Sequence, residues 1–194
     1  EPLLPGVTFI PFNNLSAAEK AITPDVGMVI VEPIQGEGGI HVPDDDFLPG
    51  LRSLCDQNGA FLVLDEIQTG FGRTGKFFAC EHWNVIPDIL VVAKALGGGM
   101  PLGGFISKPE VMNILTDPPL SHMTTFGGHP VSCAAGLASL HIILRDQLVE
   151  RSAKIGKELK SGLLDLKNKY PVIVDVRGKG LMIGLEFSSP EITK

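Results

Sequence analysis

Three compact apolar runs, each giving way to charged or polar residues, constrain the fold of this chain most: "VGMVIVEPI" (26–34), "AFLVLDEI" (60–67) and "DILVVAKAL" (88–96). They are rich in β-branched residues and lack polar alternation, the pattern of strands covered on both faces in a parallel sheet. Consecutive parallel strands need a crossover. "PDDDFLPGLRSLCDQNG" supplies one: Asp46 is placed to cap a helix, Leu48, Leu51, Leu54 and Cys55 recur at helical spacing, and Gly59 stops it. Together these make a βαβ unit. "TFIPF" near the start is a weaker strand candidate, and "PLGGFISK" (101–108) can add a strand whose direction is not readable.

The character changes from Pro130. "PVSCAAGLASLHIILRD" opens with a proline suited to a first helical turn and is rich in small and apolar residues, which predicts a well-buried helix. From Asp146 a more amphipathic helix follows, with Leu148, Ile155, Leu159, Leu163 and Leu166 along one side and Pro171 ending it. "VIVDVRGKGLMIGLEF" reads as a β-hairpin turning around Gly178 to Gly180. The division expected is an α/β unit over 1–128, connecting helices over 129–168, and the beginning of a smaller α+β domain over 169–194.

A formal net charge of −6, with no basic patch beyond a few lysines between Lys154 and Lys169, gives no electrostatic footprint for nucleic acid. The apolar runs are far shorter than the roughly 20 residues of a membrane span. No basic segment followed by an apolar stretch reads as a signal peptide. Cys55, Cys80 and Cys133 are odd in number and far apart, so a disulfide framework is not expected. Each reads as a buried free thiol in a reducing cytoplasm.

In open α/β sheets ligands gather beyond the carboxyl ends of the strands. The three runs present Glu32 to Glu37, Asp65 to Gln68, and Lys94 there. Asp65 and Glu66 close an apolar strand, where an ionised carboxylate needs a surface or a cation. Lys94 has two readings: a strand-end lysine snorkelling to water, or an amine in an apolar setting whose lowered pKa makes it a nucleophile toward a carbonyl. Asp65 is either a cap for the following turn or the partner of a charged heterocycle. A lysine for a Schiff base and an acid for a ring nitrogen are what pyridoxal phosphate uses.

"VEPIQGEGG", "LDEIQTGFGRTG", "AKALGGGMPLGG", "TTFGGHP" and "VRGKGLMIGLEF" occur in the order and approximate spacing found in class III pyridoxal-phosphate aminotransferases of fold type I. Over essentially all its length the chain resembles the group containing the acetylornithine, ornithine, 4-aminobutyrate and alanine–glyoxylate enzymes. The resemblance implies a mostly parallel central sheet with the start of a small C-terminal domain, and transfer of an amino group from an ω-amino or α-amino donor to a 2-oxo acid such as 2-oxoglutarate. It implies that Lys94 forms the Schiff base and shuttles the proton, that Asp65 pairs with the ring nitrogen, and that Gln68 hydrogen-bonds the phenolic oxygen. Thr125 is implied to reach the cofactor phosphate of a neighbouring subunit, making a homodimer with a shared active site. Glu37 is implied to mask an arginine while a terminal amine donor reacts, and to release it to a dicarboxylate. As a plain loop glutamate, turn glutamine and turn threonine, Glu37, Gln68 and Thr125 would have no such roles.

His129 departs from the family's asparagine. The phosphate loop and ring-stacking aromatic are expected before this segment, and the arginine for the substrate α-carboxylate after it, as in a middle section of a longer enzyme. Arg177 is not that arginine by motif and reads as a hairpin-turn residue. Rival chemistries fare worse: "GGGMPLGG" misses the spacing of a dinucleotide fingerprint, there is no P-loop, and the five histidines lack metal-ligand spacing. A catalytically silent structural piece of the fold, or an aminomutase or decarboxylating transaminase using the same Lys and Asp, remain the alternatives.

Overall fold

The computed structural model describes residues 4–193. Helix α1 (Leu15–Ala21) is capped by Asn14, whose side chain accepts from Ala17 N at 2.9 Å. Strand β1 (Met28–Val31), helix α2 (Phe47–Asn58) and strand β2 (Phe61–Asp65) follow, then β3 (Ile89–Val92) and β4 (Gly104–Ser107). The sheet order is β1-β2-β3-β4, parallel between the first three and antiparallel between β3 and β4. The three apolar runs thus form the expected strands, and the fourth strand takes the opposite direction. "TFIPF" forms no strand; residues 7–11 are irregular, with Ile10 and Phe12 packed against the core.

The βαβ unit is present, but two of its details differ from expectation. Asp46 makes no capping hydrogen bond, because its backbone is already near-helical (φ −91°, ψ −14°) rather than extended as a capping side chain requires. Gly59 does end the helix, in the left-handed region at φ 73°. Coverage of the sheet is also uneven. Leu62, Val63 and Leu64 of β2 are buried, and Leu48, Leu51 and Cys55 pack on one face with Trp83 and Val85. On β1, Met28 and Ile30 stay exposed, since alternate side chains face opposite ways and only one face of that edge strand is packed.

Asp88 ties this layer together. Its carboxylate accepts from Leu62 N and Arg52 Nη1, both at 2.7 Å, and Arg52 also pairs with Asp56 at 2.7 Å.

After a short helix α3 (Pro109–Met112) come α4 (Pro130–Arg145) and α5 (Leu148–Lys169). The expected deep burial of α4 does not occur. Only Ser132, Gly136 and Ile143 are buried, because this stripe alone meets the loop after β3: Ser139 Oγ donates to Ala95 O at 2.9 Å, and a Cβ on Gly136 would stand 3.1 Å from Leu96 O. Cys133 lies exposed on this helix, unlike buried Cys55 and Cys80. Asp146 ends α4, paired with Arg145 at 2.7 Å, instead of starting α5.

Helix α5 docks through the small residues set within its leucine-rich side: Ser152 and Gly156 are buried and Leu148 and Leu163 are half-buried, whereas Ile155, Leu159 and Leu166 are exposed. Ser152 and Gly156 meet the hairpin of β5 (Ile173–Lys179) and β6 (Met182–Phe187) and the turn it touches. Ser152 Oγ donates to Arg73 O at 3.1 Å, and Lys160 Nζ to Gly178 O at 3.0 Å. The hairpin turn in turn rests on the first unit, Leu181 N donating to Arg73 O at 2.9 Å and Met182 entering the core beneath the sheet. Among the described residues no helix is long and apolar enough to cross a membrane.

Candidate active site

The carboxyl ends of β1, β2 and β3 lie side by side, and each hands the chain to a tight turn. Beyond β1, Glu32 accepts from Gly36 N at 2.9 Å, and an antiparallel bridge between Gln35 and His41 closes the loop bearing Glu37, which is exposed. Beyond β2, Asp65 is half-buried and accepts from Ile67 N at 3.0 Å through Oδ1. Gln68 then lies over Gly36 so closely that a Cβ there would overlap its side-chain oxygen at 1.7 Å. The bare Gly36 backbone is what lets the first two turns meet.

Beyond β3, Lys94 opens a short 3-10 turn in left-handed backbone at φ 47°. That region is costly for a residue with a side chain, and such strain persists where the surroundings impose it. Ser139 of α4, donating to the next carbonyl, is one such constraint. Asp65 pairs in register with Val91, three positions before Lys94, so the acid and the amine end neighbouring strands.

Lys94 and Gln68 line one cavity of about 370 Å³, with Ile40, Ile67, Arg73, Ala95, Leu181, Met182 and Ile183. Lys94 is exposed here, not enclosed in apolar surroundings, because this cavity opens to solvent. The structure therefore brings Lys94, Gln68 and Asp65 to one edge and sets Glu37 on the adjoining loop. Thr125 is exposed in the segment before α4 and does not line this cavity.

Glu66 resolves differently from its neighbour. It is 0% exposed, and its carboxylate accepts from Ala79 N at 2.9 Å, Cys80 N at 2.8 Å and the Thr69 hydroxyl. Three hydrogen-bond donors, two of them backbone N–H groups opening a 3-10 turn (Ala79–Trp83), take the place of a cation. Its proximity, after burial itself, helps push the Cys80 thiol up to about 12. Among the described residues no cluster of His, Cys, Asp and Glu could hold a metal ion.

Sequence reasoning missed Arg73 and the hairpin residues Leu181 to Ile183 as walls of the cavity. Arg73 stood between glycines in "TGFGRTG", a turn signal that was available. Arg177 was also misjudged. It lies within β5, not in the turn, and its guanidinium meets Asp175 at 2.9 Å, Glu186 at 2.5 Å and Gly39 O at 2.8 Å.

Residues 7–194 match the family model for Aminotransferase class-III. Among solved structures, the chain is similar to an ornithine aminotransferase from Toxoplasma gondii with 37% identity and a TM-score of 0.93, covering 97% of this chain and 45% of that one. That structure is described as having partial occupancy of PLP at its active site. An acetylornithine aminotransferase from Elizabethkingia anophelis matches at 38% identity and TM-score 0.91, over 96% of this chain and 49% of that one. An ornithine delta-aminotransferase from Plasmodium falciparum matches at 38% identity and TM-score 0.90, over 96% and 48%. The chain thus spans less than half the length of each of these three proteins. Five motifs, a mostly parallel sheet with charged strand ends, and a family match over nearly every residue lead to one assignment: the chain belongs to the class III aminotransferases and has their fold type I architecture.

Proposed function

We propose that this chain forms the cofactor-binding part of a pyridoxal-phosphate aminotransferase. In this reading it moves an amino group from an ornithine, acetylornithine, 4-aminobutyrate or alanine type of donor to a 2-oxo acid such as 2-oxoglutarate. The observation that carries this is Lys94, strained at the end of β3, next to the strand that ends in Asp65.

The residues suit the ring end of the cofactor. An amine is available for the aldehyde, a carboxylate for a protonated ring nitrogen, and the Gln68 amide for the phenolic oxygen. Ile67 and Ile183 offer apolar wall. Bound there, pyridoxal phosphate would supply an electron sink for charge developing at the substrate carbon that bears the amino group. Lys94 would hold the group through its amine and, when that amine is free, would take and return the proton at the substrate carbon that bears the amino group. Asp65, oriented by Ile67 N–H, holds the proton on the ring nitrogen. Glu37 covers an arginine until a dicarboxylate exchanges for it. Thr125 serves the phosphate across a subunit boundary, which fits its exposure on a single copy.

Adding pyridoxal phosphate to the intact protein tests this. A near-visible absorbance band is expected, lost in Lys94→Ala together with about a hundredfold or more of the transamination rate. A folded protein without the band, or a Lys94→Ala variant that keeps it, overturns the assignment. A screen of donors against 2-oxoglutarate, pyruvate and glyoxylate then identifies the substrate pair.

A further inference from the structure

The loop that carries Glu37 is gripped from a distant part of the chain. Its base is closed by Gln35 N to His41 O at 3.0 Å and His41 N to Gln35 O at 3.2 Å. Inside, Gly39 N and Ile40 N both donate to Gly36 O, at 3.0 and 3.2 Å. The path demands positive φ at Gly39 (122°) and at Ile40 (55°). For glycine that is free. For a β-branched residue it is strained, so the surroundings must hold it.

Two features of the hairpin do so. Arg177 Nε donates to Gly39 O at 2.8 Å across 138 positions of sequence. Its register partner on β6, Gly184, approaches so closely that a Cβ would stand 3.0 Å from Ile40 Cβ and 3.2 Å from Gly39 O. Arg177 is itself fixed by Asp175 and Glu186, whose carboxylates meet Nη1 at 2.9 and 2.5 Å. A planar guanidinium serves these acceptors in fixed directions, which a single ammonium does not reproduce.

We infer that Arg177 is a positioning residue for Glu37: by clamping Gly39 it sets the loop conformation that lets the protein discriminate an amine-terminated donor from a dicarboxylate. This rests on the reading of Glu37 given above. The hairpin that walls the Lys94 cavity at Leu181 to Ile183 thereby governs the neighbouring loop as well.

The test uses the intact protein and two kinds of measurement. Hydrogen exchange of a peptide spanning 36–41 is expected to rise about tenfold in Arg177→Ala, as when a charge-assisted hydrogen bond is lost. The rate ratio of the amine-donor to the glutamate half-reaction is expected to fall about tenfold by the same reasoning. Arg177→Lys should restore only part of either effect. Gly184→Ala, which presses on Ile40 and leaves Arg177 intact, should shift the ratio in the same direction and serves if Arg177→Ala fails to fold.

In the Glu37→Ala background neither change should move the ratio further. If Glu37→Ala shifts the ratio while Arg177→Ala and Gly184→Ala leave it unchanged, the positioning role alone fails. Multiplying effects of Arg177→Ala and Glu37→Ala would also overturn it. If Glu37→Ala itself leaves the ratio unchanged, the masking role fails first and the positioning role falls with it.

Discussion

The carboxylates of Asp65 and Glu66 follow each other in sequence but meet different surroundings. Glu66 is enclosed and satisfied by Thr69 and two backbone N–H groups, whereas among the described residues Asp65 has one oxygen engaged, by Ile67 N–H. Glu66→Ala strands buried donors and is expected to cost about 3 kcal/mol in a denaturant titration. Asp65→Asn should leave that titration within about 1 kcal/mol yet lower transamination about a hundredfold, since it removes the charge proposed to face the ring nitrogen. Equal destabilisation by both would refute the division. The cysteines separate similarly. Burial raises the Cys55 thiol to about 11, and burial with Glu66 raises Cys80 to about 12, while Cys133 is exposed. Because both buried thiols lie above their ordinary value, their thiolate fraction at pH 8 is small. A thiol reagent added to the folded protein at pH 8 should therefore leave Cys55 and Cys80 unmodified until the protein unfolds. The positions of Lys94 and Asp65 were legible in the sequence because each stands at the carboxyl end of an apolar run, Asp65 as the last residue of β2 and Lys94 two residues past β3. The partners of Glu66 were not, since Ala79 and Cys80 contribute only backbone N–H groups, an attribute every residue but proline shares.

At the scale of elements, unbroken apolar runs located β1, β2 and β3, and Gly59 marked the end of α2, because each rests on a local preference. Burial was less legible. The sequence of α4 is apolar nearly all round, so its composition could not reveal that Ser132, Gly136 and Ser139 make the contact. Helix α1 is only seven residues long, too short for a periodic signal, and its cap Asn14 is its main mark. In α5 the leucines outline one side while the small residues dock. A Cβ on Gly156 would stand 2.0 Å from Gly180 O, and Gly180, at φ 55°, is itself pressed against Thr74. In most exposed helices Gly→Ala gains up to about 1 kcal/mol. Gly162→Ala, where nothing lies within 4 Å of the new methyl, should show that gain. Gly156→Ala should instead destabilise by about 1–3 kcal/mol, because backbone must move to admit it. Thermal melts of the two variants of one helix decide the matter by opposite signs; a gain in both would mean that α5 does not dock as described.

For the molecule as a whole, the proposed second copy would find an exposed apolar surface beyond the cavity. Phe126 is 77% exposed, Met123 73%, Leu120 75% and Leu144 62%, with Val131 and Leu137 of α4 also largely bare. A run of such residues over one segment and the helix after it exceeds the scattered apolar exposure usual on a monomer. Thr125, proposed to serve a cofactor outside its own copy, lies within that segment, so the surface that needs covering and the residue that needs a neighbour coincide. The proposed homodimer would satisfy both at once, in the isologous arrangement commonest among oligomers. Light scattering of the intact protein is expected to give twice the chain mass. Phe126→Asp, which places a charge in the contact, should shift the protein toward monomer and, in parallel with dissociation, weaken its near-visible absorbance. Thr125→Ala should weaken that absorbance without changing the mass. A monomer that keeps full absorbance and activity would show that Thr125 and the surface around it serve neither purpose, leaving each copy to complete its own site.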